Sequence, residues 1–463
     1  MKRFFLLMAL VVWVALASAQ RAKYVFYFIG DGMGFNQINS TEMYLASQKG
    51  YIGAEPLLLS SFPVTGFATT FSATHPVTDS AAGGTALAVG EKTYNDAIGM
   101  DTLKHPLYSI AVKAKEAGKK VGITTTVSID HATPAAFYAH QIHRNMYYEI
   151  ALDLPVAGFD FYGGGGFVNP NTTYDKKKAP SIYSIFDEAG YTVARGLQEY
   201  KEKSSGAHKM ILMQRNEVVS ADLPFAIDRT ADDLTLAQIT ESAVSFLAKD
   251  NKGFFLMIEG GRVDKACHGN DARTMFGEVM DMDEAVKVAY EFYKRHPKET
   301  LIVVTADHET AGLGIGAGPY TLNLAALSYQ KQSVNELSRA ITTLRKDGKA
   351  TWEQVKNLLS EKMGFWSELV LTWEQEKILR DEFETSFVKR KVKFEETLYA
   401  KTEPLAAAAR KVINQIAGLA WCSTGHSAAY VPVFAVGVGA DLFAGKMDNT
   451  EIPRRIAKAA GYK

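Results

Sequence analysis

The residues best suited to chemistry in this chain are acids and histidines that follow apolar runs. Asp31 stands between Gly30 and Gly32, just after Tyr24–Ile29. Glu259 follows Gly253–Ile258 and is itself followed by Asp264 and His268. Asp307 and His308 follow Leu301–Thr305, Asp130-His131-Ala132-Thr133 follows Val121–Thr125, and Gly425-His426 precedes Val433–Val438. Each has an ordinary explanation by itself: Asp before Gly makes turns, and Asp and His four residues apart pair on one helix face. Together they say more. Carboxylates gathered in one cleft repel once desolvated and stay ionised only against cations. Mixed Asp and His ligation suits zinc, and an all-oxygen site suits magnesium. Asp31, Glu259, Asp264, His268, Asp307 and His308 therefore point to a site for more than one metal. Two cysteines in the whole chain exclude an all-thiolate module.

A nucleophile candidate is Ser80, in Thr78-Asp79-Ser80-Ala81-Ala82-Gly83-Gly84. The small residues predict a helix running to about Val89, with Ser80 as its N-cap, where backbone N–H groups and the helix dipole favour an anion. An N-cap serine alone is an ordinary feature. No Gly-x-Ser-x-Gly elbow surrounds it, and Gly84 to Lys92-Thr93 lacks the glycine spacing of a P-loop.

For these residues to meet, the elements carrying them must end at one edge. Apolar runs alternate with amphipathic stretches (Leu107–Ala117, Leu236–Lys249, Glu278–Tyr293, Ile452–Ala460), which predicts an α/β fold with a large, mostly parallel central sheet sandwiched by helices. Ligands in such sheets bind beyond the carboxyl ends of the strands. From 320 to 416 the alternation stops, and helices over Thr351–Met363, Glu374–Phe387 and Leu405–Ala417 read as an insertion. Gly163–Gly166 reads as a loop.

Lys plus Arg and Asp plus Glu both total 51, so binding to nucleic acid or a membrane surface through bulk charge is disfavoured. Lys2 and Arg3, the apolar run Phe4–Leu16 and Ala17-Ser18-Ala19 read as a secretory signal over residues 1–19, leaving 20–463 as the mature chain in the periplasm or outside the cell. The apolar run is too short for a membrane span, and no other stretch is long enough.

Taken together, Gly30-Asp31-Gly32-Met33-Gly34, Thr78-Asp79-Ser80-Ala81-Ala82, His131-Ala132-Thr133-Pro134-Ala135-Ala136, Arg144, Val263-Asp264-Lys265-Ala266-Cys267-His268, Thr305-Ala306-Asp307-His308-Glu309 and Thr424-Gly425-His426 resemble the alkaline phosphatase family, in its order and across nearly the whole chain. The resemblance implies hydrolysis of phosphate monoesters through a phosphoserine on Ser80. It implies a first zinc on Asp264, His268 and His426, and a second on Asp31, Asp307 and His308 with Ser80 as reacting ligand. A third metal, magnesium, falls to Thr133 and Glu259 with Asp31 bridging. Arg144 corresponds to the arginine that grips phosphate and Asp79 to its positioning partner. His131 and Lys265 stand where the family varies. Imidazole at His131 is a softer ligand that weakens the case for magnesium over zinc in the third site, so zinc is the alternative there, and Lys265 is expected either to reach phosphate through water or to pack behind the site. The insertion corresponds to a crown or lid, which in the family contributes to a homodimer. Its Trp352, Trp366 and Trp373 are expected in its core. Secretion permits a disulfide between Cys267 and Cys422, and buried free thiols fit equally well.

Two other readings compete. A phosphodiesterase of the same superfamily commonly uses threonine as nucleophile and lacks the arginine clamp. A non-catalytic secreted protein that binds phosphate or metal needs no nucleophile.

Overall fold

The computed structural model describes residues 21–216, 220–318, 320–346 and 348–463; the signal expected over residues 1–19 lies outside the described residues. Eight strands precede the insertion in one sheet: β1 (Tyr24–Ile29), β2 (Val64–Thr69), β3 (Lys120–Thr125), β4 (Phe161–Gly164), β5 (Tyr191–Arg195), β6 (Lys209–Met213), β7 (Phe254–Glu259) and β8 (Thr300–Thr305). Two late strands, Val431–Gly437 and Gly445–Asp448, complete a ten-stranded sheet. Its order is Gly445–Asp448, β2, Val431–Gly437, β8, β1, β7, β3, β4, β6, β5. Pairing is parallel from β8 through β5. Val431–Gly437 alone runs the other way, antiparallel to both β8 and β2.

The central strands β1, β7 and β8 are buried along their whole length, as continuous apolar runs between two helical layers require. Alternate residues face opposite layers. Phe26 and Phe254 meet Phe292 of the helix Ala272–Arg295, while Tyr27 and Phe255 meet Phe137 on the other side. Gly163 and Gly164 belong to β4 and are not loop. A Cβ on Gly163 would stand 2.6 Å from Ile239 Cγ2, so the glycines let the helix Leu236–Leu247 sit close on the sheet.

The segment 320–416 folds into the helices Val334–Lys346, Trp352–Met363, Trp373–Phe383 and Pro404–Ala417. Two of them start on the same four-residue phrase, Thr-Trp-Glu-Gln. Thr351 with Gln354 and Thr372 with Gln375 form reciprocal capping boxes. Trp352 and Trp366 pack edge to face in this segment, whereas Trp373 is exposed, contrary to its expected core placement. Between the last two helices the chain makes a small hairpin, Glu395–Glu396 with Lys401–Thr402. Among the described residues no helix is long and apolar enough to cross a membrane.

Candidate active site

Register brings the site together. Ile29 pairs with Glu259 and with Thr305, and Glu259 pairs with Thr125. Strands β1, β3, β7 and β8 thus end at one level, and Asp31, Glu259 and Asp307 emerge side by side. Gly32 makes this possible: its φ is +73°, and a Cβ there would lie 2.7 Å from Thr310 Oγ1 and 3.0 Å from Asp264 Oδ1. Asp31, Glu259, Asp264, Asp307 and His308 are fully buried, and His268 nearly so.

The histidines are oriented from behind. His268 Nδ1 faces the Thr424 carbonyl, and His426 Nδ1 lies 2.9 Å from the Thr78 carbonyl. A carbonyl only accepts, so each Nδ1 donates its proton there and each ring turns its Nε2 inward. Those two Nε2 atoms are 3.1 Å apart. They stand 3.2 Å and 3.6 Å from the oxygens of Asp264. His308 Nε2 lies 3.4 Å from Asp31, 3.2 Å from Asp307 and 3.2 Å from Ser80 Oγ.

Three groups converge closely enough to share an ion each: Asp264, His268 and His426; Asp31, Asp264 and His308; Asp31, His131 and Glu259. Asp307 also touches His308, but its Oδ1 accepts the Gly32 and His308 amides at 3.2 and 2.9 Å. Thr133 Oγ1 reaches Asp307 Oδ2 at 3.4 Å, and Thr125 donates to Glu259. Both Asp31 oxygens, Glu259 Oε1, Asp264 Oδ2 and His131 Nδ1 are buried without a hydrogen-bond partner. Burial, with Asp307, Asp264 and Glu259 alongside, pushes the Asp31 carboxyl well above the ordinary carboxylate range, and Asp307 rises for like reasons. Burial lifts Glu259 to about 7. It holds His308 and His131 well below the ordinary imidazole value, so both stay neutral. Orphaned carboxylate oxygens beside neutral imidazoles are a donor set that fits divalent cations.

Ser80 is the first residue of the helix Ser80–Val89 and not its cap. Asp79 is the cap, with Oδ1 accepting the Ala82 amide at 3.0 Å. Gly83 and Gly84 let this helix approach: Cβ atoms there would lie 3.0 Å from the Asp307 carbonyl oxygen and 3.0 Å from Thr133 Cα. The other Asp79 oxygen accepts Arg144 Nη1 and the Asp96 amide, each at 3.1 Å. Arg144 Nη2 donates to Tyr399 at 2.7 Å and lies 3.5 Å from His131 Nε2. Lys265 is committed elsewhere: Asp222 holds its Nζ at 2.7 and 2.8 Å and also takes Arg262 at 3.0 Å. Cys267 and Cys422 are both free thiols, the first buried and the second exposed.

Sequence reasoning missed Asp222, Thr310 and Tyr399. Thr310, which donates to Asp264 at 2.6 Å, is two residues from His308 and could have been suspected from that. Asp222 and Tyr399 carry no local signal.

A parallel sheet edge that gathers buried carboxylates and imidazoles around a helix-start serine, with an arginine beside it, defines a phosphoryl-transfer hydrolase. The family model for alkaline phosphatase matches residues 22–159 and 186–462. Alkaline phosphatase 3 of Bacillus subtilis is 33% identical over 449 residues, spanning 95% of this chain and 89% of the relative. The cold-active alkaline phosphatase of a psychrophilic Shewanella species superposes with a TM-score of 0.78 at 29% identity, over 94% of this chain and 99% of that one. A histidine-to-glutamate mutant of alkaline phosphatase from the Antarctic bacterium TAB5, with magnesium in its M3 site, superposes at 0.66 with 26% identity, over 96% of this chain and all of that one. This chain belongs to the alkaline phosphatase family and is a phosphoric monoester hydrolase.

Proposed function

We propose that hydrolysis proceeds through a phosphoserine on Ser80, with two zinc ions and a third metal held by the three ligand groups. The observation that supports this most directly is Ser80 Oγ lying 3.2 Å from His308 Nε2, where the groups Asp31–Asp264–His308 and Asp264–His268–His426 meet through Asp264. Metal bound there would supply charge to offset the attacking and leaving oxygens and would lower the pKa of the Ser80 hydroxyl.

The chain's own residues do the rest. Ser80 Oγ forms the new bond to phosphorus as the ester oxygen departs with the alcohol. Arg144 offers its planar fork to two non-bridging oxygens, which favours the doubly charged end of a monoester over a diester. Asp79 fixes both the start of the Ser80 helix and one arm of that fork. Water then displaces the Ser80 oxygen in line, so the configuration at phosphorus is retained overall. His131, neutral and beside Asp31 and Glu259, is assigned to the third group. Magnesium is the metal proposed there, with zinc the alternative that the His131 imidazole makes more favourable. The leader over 1–19 would place the enzyme in the periplasm or outside the cell.

The test is turnover of an aryl phosphate monoester and the matching diester at alkaline pH, with and without chelator, in wild type and Ser80→Ala. The expected result is monoester preference, loss of activity with chelator, and a fall of about 10³-fold or more in Ser80→Ala. Faster diester turnover, chelator-insensitive activity or an active Ser80→Ala enzyme each refutes the reading.

A further inference from the structure

One contact reaches the site from outside the strand ends. Arg144 Nη2 donates to the hydroxyl of Tyr399 at 2.7 Å, across 255 residues of sequence, while Nη1 donates to Asp79 at 3.1 Å. Tyr399 sits in the insertion, in the turn of the hairpin Glu395–Glu396 and Lys401–Thr402. Its ring stands edge-on to His268, with centroids 5.2 Å apart, and 5.9 Å from His131. Lys265 Nζ lies 4.9 Å above that ring. A phenol so placed touches the proposed anion grip and both flanking imidazoles at once.

The hairpin that carries it is anchored. Arg410, on the helix Pro404–Ala417, grips the Glu395 carboxylate at 2.9 and 3.1 Å. The same guanidinium donates to the Gly269 carbonyl at 2.9 Å, one residue beyond His268. Thr397 closes the turn by donating its amide to the Ala400 carbonyl at 2.8 Å. At the far end Glu403 donates its amide to Ser338 Oγ at 2.6 Å and pairs with Arg345. Tyr399 is therefore set by two helices of the insertion and by the segment that carries His268.

We infer that Tyr399 is a positioning residue for phosphate recognition: the insertion holds one arm of the Arg144 fork while Asp79 holds the other. The inference rests on the reading of Arg144 as the phosphate grip. Each terminal guanidinium nitrogen carries two N–H groups. Asp79 and Tyr399 take one on each, so the plane is fixed; the second N–H on Nη1 is left for a phosphoryl oxygen, and the second on Nη2 makes only the long 3.5 Å contact to His131 Nε2, which a phosphoryl oxygen would replace. The choice of a phenol has a reason. Burial keeps the Tyr399 hydroxyl well above its ordinary pKa, so it accepts from Arg144 as a neutral group. A second carboxylate there would hold the fork equally well but would cancel the charge that attracts a phosphate dianion.

The test is Tyr399→Phe, which keeps the ring against His268, His131 and Lys265 and removes only the oxygen. The probes are inhibition by inorganic phosphate and turnover of an aryl phosphate. The Ki for phosphate and the KM should rise roughly 10-fold or more, as for a lost bond to a charged donor. The kcat should stay within about twofold and the melting temperature within about 1 °C. In an Arg144→Ala background Tyr399→Phe should do nothing further, because its effect passes through Arg144. An unchanged or lowered Ki in Tyr399→Phe overturns the inference when Arg144→Ala weakens phosphate binding. So does a full Tyr399→Phe effect persisting without Arg144, which would make the phenol a direct contact. If Arg144→Ala itself leaves the Ki unchanged, the reading of Arg144 falls and this inference falls with it.

Discussion

Asp222 is a residue outside the metal ligands whose removal the structure makes expensive. It is 2% exposed and accepts three charge-assisted bonds: Lys265 at 2.7 and 2.8 Å and Arg262 at 3.0 Å. Both cations are nearly buried and belong to the short helix Arg262–His268 that also carries Asp264 and His268. Burial opposes the Asp222 charge, but Lys265 and Arg262 outweigh it and hold its pKa below the ordinary value. Asp222→Asn leaves two buried cations facing one neutral amide. Breaking a buried pair from one side costs about 3–5 kcal/mol. A chain of this size has an unfolding entropy of roughly 0.9 kcal/mol per kelvin, so the melting temperature should fall by about 3–5 °C. The assay is calorimetry of wild type, Asp222→Asn, Lys265→Met and the double variant. Removing both partners leaves only Arg262 to satisfy, so the double variant should recover part of the loss, with a coupling of about 1–3 kcal/mol. The Asp264 and His268 side chains ride on the same helix, so Asp222→Asn should also lose activity faster in chelator. A shift under 1 °C, or strictly additive single effects, would show that Asp222 does not bind these cations in solution.

Glu278 is buried on the helix Ala272–Arg295, accepts the Ala226 amide at 2.6 Å, and has its pKa lifted by burial to about 7. A carboxyl raised in the fold adds stability below its unfolded pKa and loses it as pH climbs through 7, an effect of up to about 3 kcal/mol. Urea midpoints at pH 5 and pH 8 should therefore converge in Glu278→Gln relative to wild type; equal slopes in both proteins reject the assignment. His131→Glu should turn the group with Asp31 and Glu259 into an all-oxygen site and raise the dependence of activity on added magnesium. A metal titration in which the variant still prefers zinc at this position counts against placing His131 there.

The parts of the site that follow directly from chain order were legible because β-sheet register is strict. Once Tyr24–Ile29, Phe254–Glu259 and Thr300–Thr305 are recognised as neighbouring parallel strands, Asp31, Glu259 and Asp307 must appear at one edge. The pattern was weaker wherever the core is not built from continuous apolar runs. Val64–Thr69, with its intermediate burial, gave no clear signal, nor did β4, whose glycines serve close packing against Ile239. The position of Ser80 was misjudged by one residue because Asp and Ser are both good caps; only the Ala82 amide, pointing at Asp79, decides between them.

What stayed hidden shares a physical cause. Tyr399 and Asp222 lie in stretches with no periodicity that would aim a side chain, and each acts on the site through another residue's charge. Tyr399 touches Arg144, and Asp222 takes Lys265 away from it. The sheet edge thus determines which groups can hold cations, while segments distant in sequence determine how much positive charge is left facing the substrate. Lys265 shows the difference. By position it could have strengthened the anion site, yet its ammonium is turned toward a carboxylate supplied from forty-three residues away, which it shares with Arg262. The positive charge presented to a phosphate dianion then rests on Arg144 and on whatever the carboxylate–imidazole groups hold, so phosphate affinity should follow metal loading closely and Lys265 hardly at all. Lys265→Met would separate the two contributions: a large loss of phosphate affinity at full metal occupancy would mean that Asp222 does not hold the ammonium away from the substrate.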